Sequence, residues 1–95
     1  MQVVKRDGSL QEFDSIKIVE AISKAFDACC PNENRQHIES MVLDMHFWDG
    51  ITIEEIQDIV EKHLMYEKYF DVAKAYILHR AKHEESRFVR ERLDY

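Results

Sequence analysis

Glycine, proline and cysteine are all scarce in this sequence. Its 95 residues include two glycines, one proline and two cysteines. An all-β fold with many tight turns needs more glycine and proline, so the composition favours a mainly helical domain. Cys29 and Cys30 are adjacent, and neighbouring cysteines rarely bridge because the geometry strains the backbone. Without a disulfide framework, a reducing compartment is indicated, and we expect the protein to be cytoplasmic.

Basic charge and long apolar runs are lacking as well. The formal net charge is −6, whereas a nucleic-acid binder usually presents a broad basic surface. No run is long enough to span a membrane, and residues 1–5 lack the apolar core of a signal peptide. We therefore expect neither nucleic acid nor a membrane as a partner. A compact anionic ligand is still compatible, because a few clustered cations can hold a triphosphate.

What is present is an N-terminal turn signal followed by four amphipathic stripes. Asp7-Gly8 lies between short extended runs, which predicts a hairpin with a tight turn of a primed type. Asp14 or Ser15 is a candidate N-cap of the first helix. The predicted inner positions are Ile18, Val19, Ile22, Ala25 and Phe26, then Ile38, Met41, Val42 and Met45, then Ile56, Ile59, Val60 and Leu64, and last Ala73, Tyr76, Ile77, Arg80 and Ala81.

The boundaries of the helices follow from local signals. The residue before Pro31 is pushed out of the helical region, which ends the first helix. The second helix is expected over about 33–45. Thr52 and Glu55 fit a capping box at the start of the third, and the last helix begins near Asp71.

These elements predict an α+β domain that is mainly α. Four helices form a bundle-like arrangement capped by the N-terminal β-hairpin. A short strand at 51–53 would extend the hairpin to a small three-stranded sheet. Residues 66–70 are expected to be a short connection between the last two helices.

Catalytic and metal-binding constellations are weak. His79 and His83 are one helical turn apart beside Glu84, a spacing that can bind zinc, but the surrounding helix is charged and no protease motif is completed. No nucleophile has a recognisable base beside it, so we assign no catalytic residue and no metal site. Phe47 and Trp48 are interpreted as an edge of the core, with a second nucleotide site left open.

Three segments, in this order, resemble the ATP-cone family. They are residues 3–8 with the Phe13-Asp14 and Lys17-Ile18 pairs, residues 53–60, and residues 71–80. The resemblance implies a domain that regulates ribonucleotide reductase without catalysing a reaction: ATP permits activity, whereas dATP switches it off, commonly through oligomerisation. It implies ATP or dATP, with Mg²⁺, as the effector, and the rest of the catalytic chain and other subunits as partners. We expect the cone to cover residues 1–92, with 93–95 starting a linker to a catalytic domain.

The resemblance also implies which residues hold the phosphates and the base. Lys5 and Arg6 match triphosphate contacts, and Lys82 is a third cation from the last helix. Gln11 and Asp14 match positions at the adenine edge, where both supply acceptors for the exocyclic amine. The alternative interpretations are solvated hairpin charges for the two cations at the turn and a simple N-cap for Asp14.

Further positions are assigned to the sugar and to the walls around the base. Lys17 matches a ribose contact. Gln57 stands where some relatives carry histidine, and its amide can donate a hydrogen bond but supplies no charge. Ile53 departs from relatives that have threonine, which puts a hydroxyl contact to the sugar in doubt; Thr52 is a substitute for which the capping box competes. Apolar walls are assigned to Val3, Ile53 and Ile56, with ordinary core as the alternative.

Two other functions compete with allosteric nucleotide sensing. One is a degenerate cone, a helical protein-interaction module that binds no nucleotide; the presence of Lys5, Arg6, Asp14 and Lys17 together argues against it. The other is a fragment of a DNA-binding repressor, but the repressors with this cone carry a zinc ribbon before it, and no room for one precedes Met1.

Overall fold

A small sheet and four helices make up the protein. The computed structural model describes residues 1–29 and 34–90, with side chains described through Ala81. The elements in chain order are β1 Gln2–Val4, β2 Leu10–Glu12, α1 Ser15–Cys29, α2 Arg35–Asp44, β3 Ile51–Thr52, α3 Ile53–Tyr66 and α4 Phe70–Arg90. The predicted class, α+β and mainly α with a three-stranded sheet, is confirmed.

Strand β1 lies in the middle of the sheet, between β2 and β3. It pairs antiparallel with β2, placing Val3 opposite Gln11, and parallel with β3, placing Val3 beside Ile51. The third strand that the sequence predicted is present but ends at Thr52, because Ile53 already belongs to α3. The parallel pairing is possible because α1 and α2 supply the long crossover that it requires.

The hairpin is present, but the predicted primed turn is wrong. Lys5 N donates to Ser9 O at 2.8 Å, and Gly8 N donates to Lys5 O at 2.9 Å. Of the described residues, only Gly8, Gly50 and Lys68 have positive φ, whereas a type I′ turn requires positive φ at both central positions. The loop is instead a three-residue connection with Gly8 in the left-handed region at φ +87°. Asp7 Oδ1 accepts hydrogen bonds from the amide and the hydroxyl of Ser9. This Asx-type arrangement stabilises the turn locally.

Side-chain caps begin the first three helices. Asp14 Oδ1 accepts from Ile16 N at 3.0 Å, at the start of α1. Asn34 caps α2 by accepting from His37 N at 2.7 Å, so α2 starts slightly later than predicted. The capping box of Thr52 and Glu55 at α3 is confirmed. The break after α1 was predicted at residues 29–32; α1 is described as far as Cys29, and residues 30–32 lie outside the described residues.

The junction of α3 and α4 is tighter than the predicted connection over 66–70, since Tyr66 and Phe70 are both helical. Tyr69 N donates to Leu64 O at 2.9 Å, and Lys68 N donates to Met65 O at 3.0 Å. These two bonds form a Schellman motif, which satisfies carbonyls at the helix end. The left-handed position that glycine usually fills is taken by Lys68, with φ +67°.

The predicted apolar stripes meet in one core. Helix α1 packs against α2 and α4, and α4 also packs against α3. Ile59 and Ile77 are half-buried and Ala81 is exposed, so these three lie at the margin of their stripes. Phe47 packs partly buried against the core, as predicted, with its ring 5.3 Å from that of Phe13. Trp48, predicted to share this edge of the core, is instead 41% exposed. The fully buried side chains include Phe26, Ile18, Ile22, Ile38, Ile51, Ile53, Ile56, Leu64, Val3, Val60 and Val72.

Candidate functional site

The hairpin loop, α3 and α4 meet at one buried amide. Gln57 is 3% exposed and is the only buried polar residue in the part of the chain that the structure describes. Its Oε1 accepts from Nη2 of Arg6 at 3.3 Å and from Nη1 of Arg80 at 3.5 Å. One acceptor is thus shared by a guanidinium from the hairpin and a guanidinium from α4.

Carboxylates of α3 flank this amide on both sides. Arg6 Nε lies 3.1 Å from Glu54 Oε1, and Arg80 Nε contacts Glu61 Oε1. Positions 54, 57 and 61 recur at helical spacing, so one edge of α3 carries all three side chains. We call this set, Arg6, Glu54, Gln57, Glu61 and Arg80, the polar edge. Sequence reasoning identified Arg6 and Gln57 but missed Glu54, Glu61 and the role of Arg80. The helical spacing of 54, 57 and 61 indicates that these side chains share an edge of α3, but it does not indicate which arginines they contact.

Three cationic side chains that the sequence assigned to the nucleotide are partly shielded from water. Lys5 and Lys17 are half-buried, and the side chain of Arg6 is 18% exposed. Within the described residues, the ammonium of Lys5 has no salt bridge. A guanidinium and an ammonium that are partly shielded from water bind anionic oxygens more strongly than fully solvated ones.

The carboxylate of Asp7 stays ionised at the tip of the hairpin. Hydrogen bonds from the hydroxyl and the amide of Ser9 lower the pKa of the Asp7 carboxyl, and the positive charge of Lys5 lowers it further. Asp7 is exposed. Its hydrogen bonds hold the loop in shape, so the loop presents its cations in a fixed arrangement.

Gln11 carries a buried acceptor without a donor. Its Oε1 is inaccessible to solvent and has no hydrogen-bond partner among the described residues. Gln11 lies directly opposite Val3, and cross-strand partners share a face of the sheet, so Gln11 is on the face that Val3 buries. A buried acceptor left unpaired costs about 1–3 kcal/mol. A ligand N–H at this position would satisfy it, which fits the exocyclic amine of an adenine.

Asp14 directly precedes α1, and Lys17 lies in the first turn of that helix. Asp14 caps α1 through Oδ1. The alternative interpretation of Asp14 as an N-cap is therefore confirmed. Lys17 N donates to Asp14 O at 3.2 Å, so the two residues are held together by the local backbone.

The residues predicted as apolar walls belong to the core in this conformation. Val3, Ile53 and Ile56 are 0%, 1% and 0% exposed. They lie beside the candidate site but offer no surface to a base unless the hairpin and α3 shift. The hydroxyl of Thr52 accepts from Glu55 N and donates to Glu55 Oε1. The capping box therefore occupies the hydroxyl that was considered as a substitute for a threonine at Ile53.

Some predicted features lie elsewhere or outside the described part. The side chain of Lys82 is outside the described side chains. One cavity of about 230 Å³ is lined by residues 68–72, and another of about 360 Å³ lies between Met1, Val42 and Phe47; neither is lined by a predicted site residue. Among the residues described, no cluster of three or more His, Cys, Asp or Glu could hold a metal ion, and no helix is long and apolar enough to cross a membrane.

Known proteins with similar sequences are reductases. The chain is 41% identical, over 82% of its length and 9% of the relative's, to the alpha subunit of ribonucleoside-diphosphate reductase from Chlamydia pneumoniae. A vitamin B12-dependent ribonucleoside-diphosphate reductase from Thermoplasma acidophilum is 38% identical over 85% of this chain and 12% of that protein. The anaerobic ribonucleoside-triphosphate reductase of Haemophilus influenzae is 38% identical over 82% of this chain and 12% of that protein. The chain thus spans about a tenth of these relatives.

A protein-family model also matches the chain, over a range that includes the polar edge. The model of the ATP cone domain matches residues 1–85, which is most of the chain and includes the hairpin, α3 and the first part of α4. The resemblance seen in the sequence is therefore confirmed, and the chain belongs to the ATP-cone domain family.

Proposed function

We propose that this chain binds ATP or dATP between the hairpin and helices α1 and α3, and that it regulates a ribonucleotide reductase as an allosteric domain. Membership of the ATP-cone family and the reductase relatives support the regulatory role. The observation that carries the proposal is the contact between Arg6 and Gln57. It holds Arg6 of the hairpin loop against α3, and we propose that the nucleotide lies beside this contact, towards the start of α1.

The phosphates are assigned to the cations at the hairpin loop. Lys5 and Arg6 bind the triphosphate with its Mg²⁺, and Lys82 contributes from α4. Guanidinium groups match the geometry of phosphate oxygens, and an ammonium adds a compact charge. Lys17, at the start of α1, is assigned to the ribose.

The base is assigned to the acceptors nearest the sheet. Gln11 Oε1 is buried and lacks a donor among the described residues, and Asp14 supplies a carboxylate at the start of α1. The exocyclic amine of adenine donates to such acceptors, whereas guanine presents an oxygen there and is repelled. The domain would therefore select adenine.

Binding requires the core beside the site to rearrange. Val3, Ile53 and Ile56 are buried and become walls around the base only when the sheet and α3 move relative to α1. Such a movement costs apolar burial at about 25 cal/mol per Å² exposed. The contacts to the nucleotide repay this cost, so the ligand selects a second packing of the same helices.

Discrimination between ATP and dATP depends on one hydroxyl. Pairing or not pairing a buried polar group with the 2′-hydroxyl is worth about 1–3 kcal/mol, and allosteric couplings are of the same size. Gln57 is placed to pass the difference on, because it contacts Arg80 of α4 as well as Arg6. We propose that α4 conveys the state of the site to the rest of a reductase chain and changes its oligomeric state.

The first experiment is a calorimetric titration of the chain with ATP, dATP and GTP. The double variant Lys5→Ala, Arg6→Ala should lose at least about tenfold in affinity for ATP, since two charge-assisted contacts are removed. The matched control is Arg35→Ala, Lys62→Ala, which removes two positive charges at exposed positions and should bind ATP like the wild type. Equal binding of GTP would contradict the roles of Gln11 and Asp14. Absence of ATP binding would favour the alternative, a degenerate cone that acts as a protein-interaction module.

The second experiment uses a reductase chain with this sequence at its N-terminus, taking residues 1–92 as the regulatory domain. Its size distribution is measured by light scattering with ATP and with dATP. We expect different oligomers with the two effectors. Identical distributions would contradict regulation through assembly while leaving nucleotide binding untouched.

A further inference from the structure

The guanidinium of Arg6, which we assign to the phosphates, already forms an ion pair with a carboxylate of the protein. Glu54 Oε1 lies 3.1 Å from Arg6 Nε. Carboxylate and phosphate oxygens offer a guanidinium the same kind of charge-assisted acceptor. An incoming phosphate and the side chain of Glu54 therefore compete for the same donors. Glu54 was not among the residues that the family resemblance assigned to the site.

The two members of this pair differ in how easily they can leave it. The side chain of Glu54 is 52% exposed, whereas that of Arg6 is 18% exposed. When the pair breaks, Glu54 turns into water and is rehydrated at little cost, while Arg6 stays beside Gln57. Glu54 also lies in the first turn of α3, where the helix dipole favours a negative charge whether or not it is paired. The glutamate is thus the partner that yields.

We propose that Glu54 sets the affinity of the nucleotide site by holding Arg6 until a phosphate displaces it. The inference rests on the proposed function, because it assumes that phosphate reaches Arg6. The carboxylate acts as a built-in competitor, so any ligand that contacts Arg6 must first break the pair. A ligand that lacks phosphate breaks no pair and is indifferent to Glu54.

The test is a titration of three forms of the chain with ATP and with adenosine. Glu54→Gln removes the charge but keeps an oxygen that can accept from Arg6, so the fold is retained. Asp58→Asn is the matched control, since Asp58 is exposed and lies one turn further along α3; it removes the same charge without a contact to Arg6. Circular dichroism verifies that all three forms are folded.

Glu54→Gln is expected to bind ATP roughly 2- to 5-fold more tightly than the wild type, in line with the loss of a partly exposed ion pair. Its affinity for adenosine should stay unchanged, and Asp58→Asn should alter the ATP affinity less than about twofold. Equal gains in the two variants would show a general effect of charge and overturn the inference, as would an equal gain for adenosine. If the wild type binds no ATP, the proposed function itself fails. If the wild type and Glu54→Gln bind ATP with equal affinity, only the proposed competition by Glu54 is rejected.

Discussion

The two sides of α3 are stabilised by different kinds of interaction: apolar burial on one side, and hydrogen bonds and ion pairs on the other. Its apolar side buries Ile56, Val60 and Leu64 completely in the core, where the stabilisation is proportional to area and has no preferred direction. Its polar edge is held by Arg6 and Arg80 through specific hydrogen bonds and ion pairs. Apolar packing fixes where the helix lies, while the polar contacts can exchange partners without unfolding it. A ligand site belongs on the side whose partners can be exchanged.

The largest effect should come from the apolar side. Leu64→Ala removes a fully buried side chain and should lower the free energy of unfolding by about 2–5 kcal/mol, because a cavity is left in the core. Urea denaturation measures the change. Leu43→Ala is the matched control, since Leu43 is 84% exposed, and it should cost less than about 0.5 kcal/mol. Similar losses of unfolding free energy in the two variants would contradict the burial of Leu64 in the core.

A smaller effect on stability is expected at the polar edge. Gln57→Leu keeps the volume but removes the acceptor that Arg6 and Arg80 share. Both arginines retain carboxylate partners, so the loss in unfolding free energy should be about 1–2 kcal/mol. The exposed Gln36 provides the control Gln36→Leu, which should be near neutral. A loss as large as that of Leu64→Ala would break the comparison, because the edge would then be a structural element like the core.

The end of α3 belongs to neither side and gives the smallest effect, with the opposite sign. Lys68 has φ +67°, a conformation that costs a residue with a Cβ about 1–2 kcal/mol. Lys68→Gly should therefore raise the unfolding free energy by roughly 1 kcal/mol, after the entropy of glycine is subtracted. Lys62→Gly, at an exposed position inside α3, should lower it by a similar amount. The measurement is thermal denaturation. A lower stability of both glycine variants would contradict a strained left-handed conformation of Lys68 at the end of α3.

Most of the fold could be predicted because its signals are local. The capping box needs only Thr52 and Glu55 three residues apart, and the stripe of α1 needs only the helical period. The turn type was wrong because Asp7-Gly8 is compatible with several loops, and the side chain of Asp7 decided between them by bonding to Ser9. The left-handed Lys68 could not be predicted, since a lysine carries no signal for that conformation.

The candidate site was predictable only in part. The positions of Lys5, Arg6 and Gln57 came from resemblance, and the structure brings Arg6 and Gln57 into contact. The partners Glu54 and Arg80 depend on how the hairpin and α4 lie against α3, which no local pattern encodes. The burial of Val3 and Ile53 was one of two open interpretations, and only packing shows that both are core in this conformation.

The central position of β1 determines how the hairpin can move. Because β1 pairs with β3 as well as β2, and β3 passes into α3 without an intervening residue, the loop does not swing as a free flap. The loop is therefore connected to the first turn of α3 through the pairing of β1 with β3, as well as through the contact of Arg6 with Gln57.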